Sequence, residues 1–239
     1  MASEYLKWKY QDVKPDAPVE HTREEERRNW WYYHKWHVLI AIAIAAICFS
    51  IIWSALGIGQ VKPDYQFAYV GTDYLPESTV SALESALAAL GTDQNGDGVV
   101  TVSVHQYPCY SSDPQLTMAS QARLMADLSE CSSCFFLLDD PDRFQDDFHI
   151  LSHLDGSLPA GDERSAEGTC LPWSQCPVLA GMDLGEYSLD LPGGTVTGDS
   201  AGLLSRLSLA RRGFWTKQTV QYPEACEALW AVLTQGAVS

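Results

Sequence analysis

The chain has 239 residues, of which 46% are hydrophobic, and carries a formal charge of −16 from 15 Lys and Arg against 31 Asp and Glu. That balance excludes nucleic acid as a partner and disfavours docking on anionic headgroups, since both would repel an acidic surface. The length provides for one compact domain with a substantial core.

Residues 1–37 contain seven basic and seven acidic residues, so the whole net charge lies beyond them. Charges alternate there with aromatic rings, Pro15 and Pro18 interrupt the stretch, and no sustained apolar period appears; this predicts a cytoplasmic tail without a core of its own. From Val38 to Ile58 follow 21 residues, VLIAIAIAAICFSIIWSALGI, with no Asp, Glu, Lys, Arg or His. At about 1.5 Å per residue they reach across a hydrocarbon layer of roughly 30 Å, which predicts a transmembrane helix over 38–58.

Arg23, Arg27, Arg28 and Lys35 precede the run and only Lys62 follows closely, so the amino end is expected in the cytoplasm and the carboxy-terminal domain outside the cell membrane. Trp30, Trp31, Tyr32, Tyr33 and Trp36 before the run and Trp53 near its end suit the headgroup layer. Ser54-Ala55-Leu56-Gly57 offers small residues to a signal peptidase. An apolar stretch longer than the usual 7–15 or so residues, behind a long charged leader, fits a retained single-pass signal anchor better. Residues 59–64, GQVKPD, form a short linker, and residues 65–239 form the extracytoplasmic α/β domain.

Within that domain Tyr65 to Gly71 predicts a strand, and Pro76 to Leu90 a helix with Val80, Leu83, Leu87 and Leu90 on one face. After the turn Asp93 to Gly98, Val99 to Tyr107 predicts the clearest strand, alternating through Val100, Val102 and Val104. Leu116 to Leu128 predicts a second helix, Cys134 to Leu138 a third strand, and Asp140-Pro141 opens a helix through Phe144, Phe148 and Leu151. Leu154 to Thr169 reads as a loop, Val178 to Met182 as a fourth strand, Leu203 to Trp215 as holding another, and Tyr222 to Leu233 as a closing helix. Alternation of this kind predicts an α/β fold, with one transmembrane helix followed by a three-layer, mainly parallel-sheet ectodomain.

Four patterns bear on chemistry. Asp93, Asn95 and Asp97 offer side-chain oxygens at calcium-loop spacing, with the Val99 carbonyl and Thr101 as further ligands and Gly98 for the sharp turn. The twelfth position is Val104 in place of Glu, and a strand follows where an EF-hand has a helix. Calcium would therefore need a ligand from elsewhere in the chain, while a metal-free polar turn accounts for the same residues. Gly198-Asp199-Ser200-Ala201-Gly202 resembles the nucleophile elbow of α/β-hydrolase esterases, but no His follows Ser200, so the triad order of that family is impossible.

Six cysteines lie beyond the membrane run: Cys109, Cys131, Cys134, Cys170, Cys176 and Cys226. Their even number permits disulfides, with Cys131–Cys134 and Cys170–Cys176 nearest in sequence, and the pairing is left open. Cys131-Ser132-Ser133-Cys134 is a CxxC placed between a helix and a strand, the reverse of a thioredoxin-like site. His149 and His153 stand four apart without the Glu of a zinc-protease motif, and Arg206, Arg211 and Arg212 are expected to pair with acidic neighbours.

The phrases YQFAYVG, ALAALGTDQNGDGVVTVSVHQY, FFLLDDPDRF and LARRGFW, behind a short arm and an anchor, resemble uncharacterised membrane-anchored ectodomain proteins of Gram-positive bacteria. They are also similar in part to extracellular solute-binding proteins, without the lipobox cysteine or the size of a two-lobed receptor. The anchor, together with the incomplete catalytic sets, predicts a membrane-tethered extracytoplasmic binding or interaction module for a protein partner or small ligand. An extracytoplasmic enzyme, hydrolytic or metal-dependent, and a structural subunit of a membrane assembly are the alternatives.

Overall fold

The computed structural model describes residues 22–55, 62–161, 163–191 and 194–237. It divides into two compact units, Met1–Val61 and Lys62–Ser239. The predicted tail through residue 21, the end of the apolar run at 56–58 and the predicted linker at 59–61 lie outside the described residues.

The described residues of the first unit hold one helix, α1 (Arg23–Ala55), of 33 residues. Glu24, Glu25 and Glu26 occupy its first turn, where negative charge suits the helix dipole. It is long and apolar enough to cross a membrane, and none of that apolar span is buried by protein. Ile40, Ile44, Ile47 and Ile51 are all exposed, as are Trp30, Trp31 and Trp36.

The second unit begins with β1 (Tyr65–Val70), α2 (Glu77–Ala88), β2 (Val102–Tyr107), α3 (Pro114–Glu130), β3 (Phe135–Leu138) and α4 (Pro141–Phe148). Asp113 and Asp140 cap the two later helices, each accepting backbone N–H bonds, with a proline in the first turn where no N–H is needed. Both helices then stop at a left-handed residue, Cys131 (φ 54°) and His149 (φ 50°). Leu151, expected within the later helix, therefore lies outside it, bridged to Arg212. There follow β4 (Cys170–Pro172), α5 (Pro177–Ala180), β5 (Glu186–Leu191), β6 (Gly194–Asp199), α6 (Ser200–Leu204), β7 (Ser208–Arg211) and α7 (Pro223–Leu233).

Five strands form one sheet in the order β2-β1-β3-β7-β4. β1 pairs in parallel with β2 on one side and β3 on the other, with Phe67 opposite Val104 and Phe135. The remaining pairings, β3 with β7 and β7 with β4, are antiparallel, so the sheet is mixed where a mainly parallel one was expected. The cause is local. Leu207 bonds back to Leu204 in a tight turn after α6, and the chain enters β7 beside the carboxyl end of β3, with Ser208 opposite Leu138.

Strand alternation divides the core. Phe67, Tyr69, Val102, Val104, Phe135 and Leu137 pack with Leu83 and Leu87 of α2 and with Leu229, Trp230 and Leu233 of α7. Ala68, Val70, Phe136 and Leu138 pack with Leu124 and Leu128 of α3 and with Phe144 of α4. Stacked rings join the first cluster, Phe67 to Phe135 at 4.7 Å between centroids and Phe135 to Trp230 at 6.3 Å.

One further reading is corrected. Val178–Met182, expected as a strand, is largely the helical turn α5, because Pro177 fixes the first helical φ and Leu179 turns into the core. Gly194–Asp199, where no element is predicted, is the second strand of the exposed hairpin β5–β6.

Candidate functional site

A cavity of about 620 Å³ opens at the amino ends of β1 and β3. Its walls come from three places: Lys62, Pro63, Asp64 and Gln66 leading into β1; Glu130, Cys131, Ser132 and Cys134 between α3 and β3; and Thr219 to Tyr222 with Cys226 at the start of α7. Parallel packing of β1 and β3 brings the first two together, and α7 closes over the same sheet face.

The walls are held by buried carboxylates that use backbone and side-chain donors. Asp64, 3% exposed, accepts N–H bonds from Gln94 at 2.7 Å, Asn95 at 3.1 Å and Thr101 at 2.8 Å. Asp127 on α3 is also buried and accepts from the Tyr107 hydroxyl at 2.7 Å, the Ser133 hydroxyl at 2.8 Å and the Ser133 N–H at 3.0 Å. Gln66 completes this network, donating from Nε2 to Asp127 at 3.1 Å. Burial first, then the bond to Asp127, pushes the Tyr107 phenol up and keeps it a donor.

Arg212 lies close to this group, buried, with its guanidinium donating to the Leu128 carbonyl. Its Nε and Nη1 have no hydrogen-bond partner among the described residues. Desolvation lowers its pKa, against the opposing pull of Cys131, Asp127 and Cys134. A cation therefore stands near two of the cysteines whose side chains line the cavity.

All seven cysteines are free thiols in this structure, so neither short-range pair is bridged. The neighbouring Cys226 thiol and burial push the Cys134 thiol well above its ordinary value. Burial raises Cys109 from the ordinary 9.0 to about 12 and Cys170 to about 11. A folded-state pKa above the unfolded value means stability is complete below the unfolded pKa and is lost as pH climbs toward the folded one. Thermal melts are thus expected to hold steady up to pH 9.0 and to fall between there and about 11 to 12 as buried thiols ionise. Replacing Cys109 and Cys170 together by Ala should flatten that decline.

The expected calcium residues lie in the connection from α2 to β2. Asp93 accepts from Gly96 at 2.7 Å and Gly98 at 2.8 Å, and these bonds hold its carboxyl below the usual range. Asn95 accepts from the Asp97 N–H at 2.8 Å, and Asp97 from the Val99 N–H at 2.8 Å. The Val99 side chain is exposed, and Thr101 is tied through its N–H to Asp64. The loop thus gathers Asp93, Asn95 and Asp97 on its own amides. Among the described residues no group of three or more His, Cys, Asp or Glu is arranged to hold a metal.

Ser200 stands between a strand and a helix, as the elbow pattern requires, yet it is fully buried and its hydroxyl bonds Thr79 at 3.0 Å. Asp199 serves as the cap of α6. His149 terminates α4 in a left-handed conformation, so it and His153 do not share a helix face. His153 faces Glu163 at 3.6 Å. Arg206 pairs with Asp139 at 3.4 Å and Arg211 with Glu227 at 2.7 Å, the acidic partners expected for them, whereas Arg212 has none within ion-pair reach among the described residues.

Sequence reasoning missed Gln66, Tyr107, Asp127 and Ser133. One signal was present: Asp127 falls in the stripe of Leu124, Leu128 and Cys131, which the helix buries. No family model matches the chain, and comparison with curated proteins and with solved structures finds no match either.

Proposed function

We propose that this chain is a membrane-tethered extracytoplasmic binding module. In this reading α1 is a retained signal anchor with its amino end in the cytoplasm, and residues 62–239 form a three-layer α/β domain outside. The exposed apolar span of α1 and the excess of Arg and Lys before it support the topology. The two hydrophobic clusters, each joining sheet to helices, support the layering.

The observation that carries the binding role is the 620 Å³ cavity, which has the size of a small-molecule site. Its lining mixes Lys62, Glu130, Ser132 and Gln221 with the aromatic ring of Tyr222, a composition suited to a small polar ligand such as an amino acid, a short peptide or a sugar. The fixed carboxylates Asp64 and Asp127 keep these walls in place before any ligand arrives, which lowers the ordering cost of binding.

The test is a thermal-shift panel of amino acids, di- and tripeptides and sugars on the full-length protein in detergent. A ligand at about one hundred times its Kd stabilises by roughly 2.7 kcal/mol, which raises Tm by several degrees. The same compound should leave Ser132→Trp, whose indole fills the cavity, unshifted. Equal shifts in both proteins, or turnover of a compound by the purified protein that one polar substitution abolishes, would contradict the reading.

A further inference from the structure

We propose that a second, smaller cavity, between the end of α4 and the segment that follows β7, binds an organic ammonium group, with Trp215 as its aromatic face and Glu163 as its counter-charge. The cavity measures about 230 Å³ and shares no lining residue with the one at the amino ends of β1 and β3. Gln145 and His149 come from α4 and its left-handed stop, Pro159 and Glu163 from the loop before β4, and Trp215 from the chain leaving β7. A space of this size takes one head group, since sites for whole drug-sized ligands start at roughly 300 Å³.

Trp215 supplies an open ring, 46% exposed. Elsewhere the domain lays its own guanidinium groups over aromatic faces: Arg143 over Tyr110 at 4.2 Å, Arg211 over Trp230 at 5.1 Å and Arg212 over Phe214 at 5.6 Å. Among the described residues Trp215 has neither such a cation nor a stacked ring. Gly213 lets the indole pack where it does, because a Cβ at that position would stand 2.9 Å from the indole and 2.8 Å from Leu158.

Glu163 supplies the sign. It is the one carboxylate in the lining among the described residues, and the Ala160 N–H positions it by donating at 3.2 Å. Arg164, next in the chain, is turned to Asp146 at 2.9 Å, and His153 Nε2 stands 3.6 Å from the Glu163 carboxylate, in the contact that a ligand ammonium would share. A cation that meets an indole face and a carboxylate together gains from both, in a chain whose net charge of −16 already draws cations. Neutral and anionic ligands gain neither. A free quaternary amine and the side chain of lysine on a larger molecule carry this same chemistry.

The test titrates choline and Nα-acetyl-lysine methylamide into full-length protein in maltoside detergent, followed by ligand-observed NMR. The control is 3,3-dimethylbutanol, in which carbon replaces the charged nitrogen of choline. One of the two ammonium compounds should bind about tenfold more tightly than the neutral control. Tighter choline marks a small quaternary solute as the source, and a tighter lysine derivative marks a protein side chain. Trp215→Leu and Glu163→Gln should each weaken that binding by roughly five- to tenfold, and Trp215→Phe, which keeps a ring face, by less. Neither side chain is buried, so thermal melts of these variants should match wild type. Ser132→Trp, in the other cavity, should leave ammonium binding unchanged, so failure of the binding role proposed there and failure here are read separately. Equal affinity for dimethylbutanol, no binding of either ammonium compound, or affinity that persists in Trp215→Leu and Glu163→Gln overturns the proposal.

Discussion

Asp127→Ala is expected to destabilise the α/β unit by about 4 kcal/mol, because it strips a buried charged acceptor from several donors at once. The Tyr107 hydroxyl, the Ser133 hydroxyl and N–H and the Gln66 amide all turn toward this carboxylate from separate elements. The Tyr107 and Ser133 donors are buried and are left with their desolvation cost, whereas Gln66 keeps Ser133 Oγ as an acceptor. In a thermal melt of the full-length protein in detergent, Tm should fall by roughly 8–16 °C. Asp127→Asn, which keeps the shape and one acceptor oxygen, should recover about half of the loss. A melt of the Ala variant within 2 °C or so of wild type would show that the network does not hold the cavity wall.

The second large effect is expected in α1. Replacing Ile44 and Ile47 together by Asp puts two carboxylates near the middle of an exposed apolar helix. At roughly 3 kcal/mol per charge on the insertion scale, about 6 kcal/mol opposes membrane residence. The variant should move from the carbonate-resistant membrane pellet to the soluble or degraded fraction, while Ile44→Leu with Ile47→Leu stays in the pellet. Retention of the double Asp protein in the pellet would contradict a bilayer-spanning role for this helix.

Much of the fold was legible because its elements announce themselves locally. Tyr65–Val70 is a short aromatic and apolar run buried nearly throughout, Val102 and Val104 alternate with less buried neighbours, and Leu83 and Leu87 face the sheet as their spacing predicts. The capped starts of α3 and α4, each with Asp followed by Pro, are equally local. What escaped depends on contacts between distant segments. The direction of β7 follows from where a turn after α6 delivers the chain, and the hairpin β5–β6 is built from largely exposed residues with little apolar alternation. α5 was misread because its apolar run is too short for periodicity to separate strand from helix, although Pro177 favours the latter.

The candidate site was hardly legible at all. Sequence reasoning attended to Asp93, Asn95 and Asp97, whose oxygens are adjacent in the chain and end up serving their own loop. The cavity instead joins residues from the entry to β1, the α3–β3 connection and α7, and no spacing rule links those three segments.

Protease digestion of intact cells tests the central claim most directly, using protein carrying one epitope at each terminus. A domain displayed outside on a retained anchor predicts loss of the carboxy-terminal epitope from unbroken cells, with the amino-terminal epitope surviving on a short membrane-bound fragment. Survival of the carboxy-terminal epitope until the cells are lysed, or a mature protein lacking residues 1–55, would contradict it.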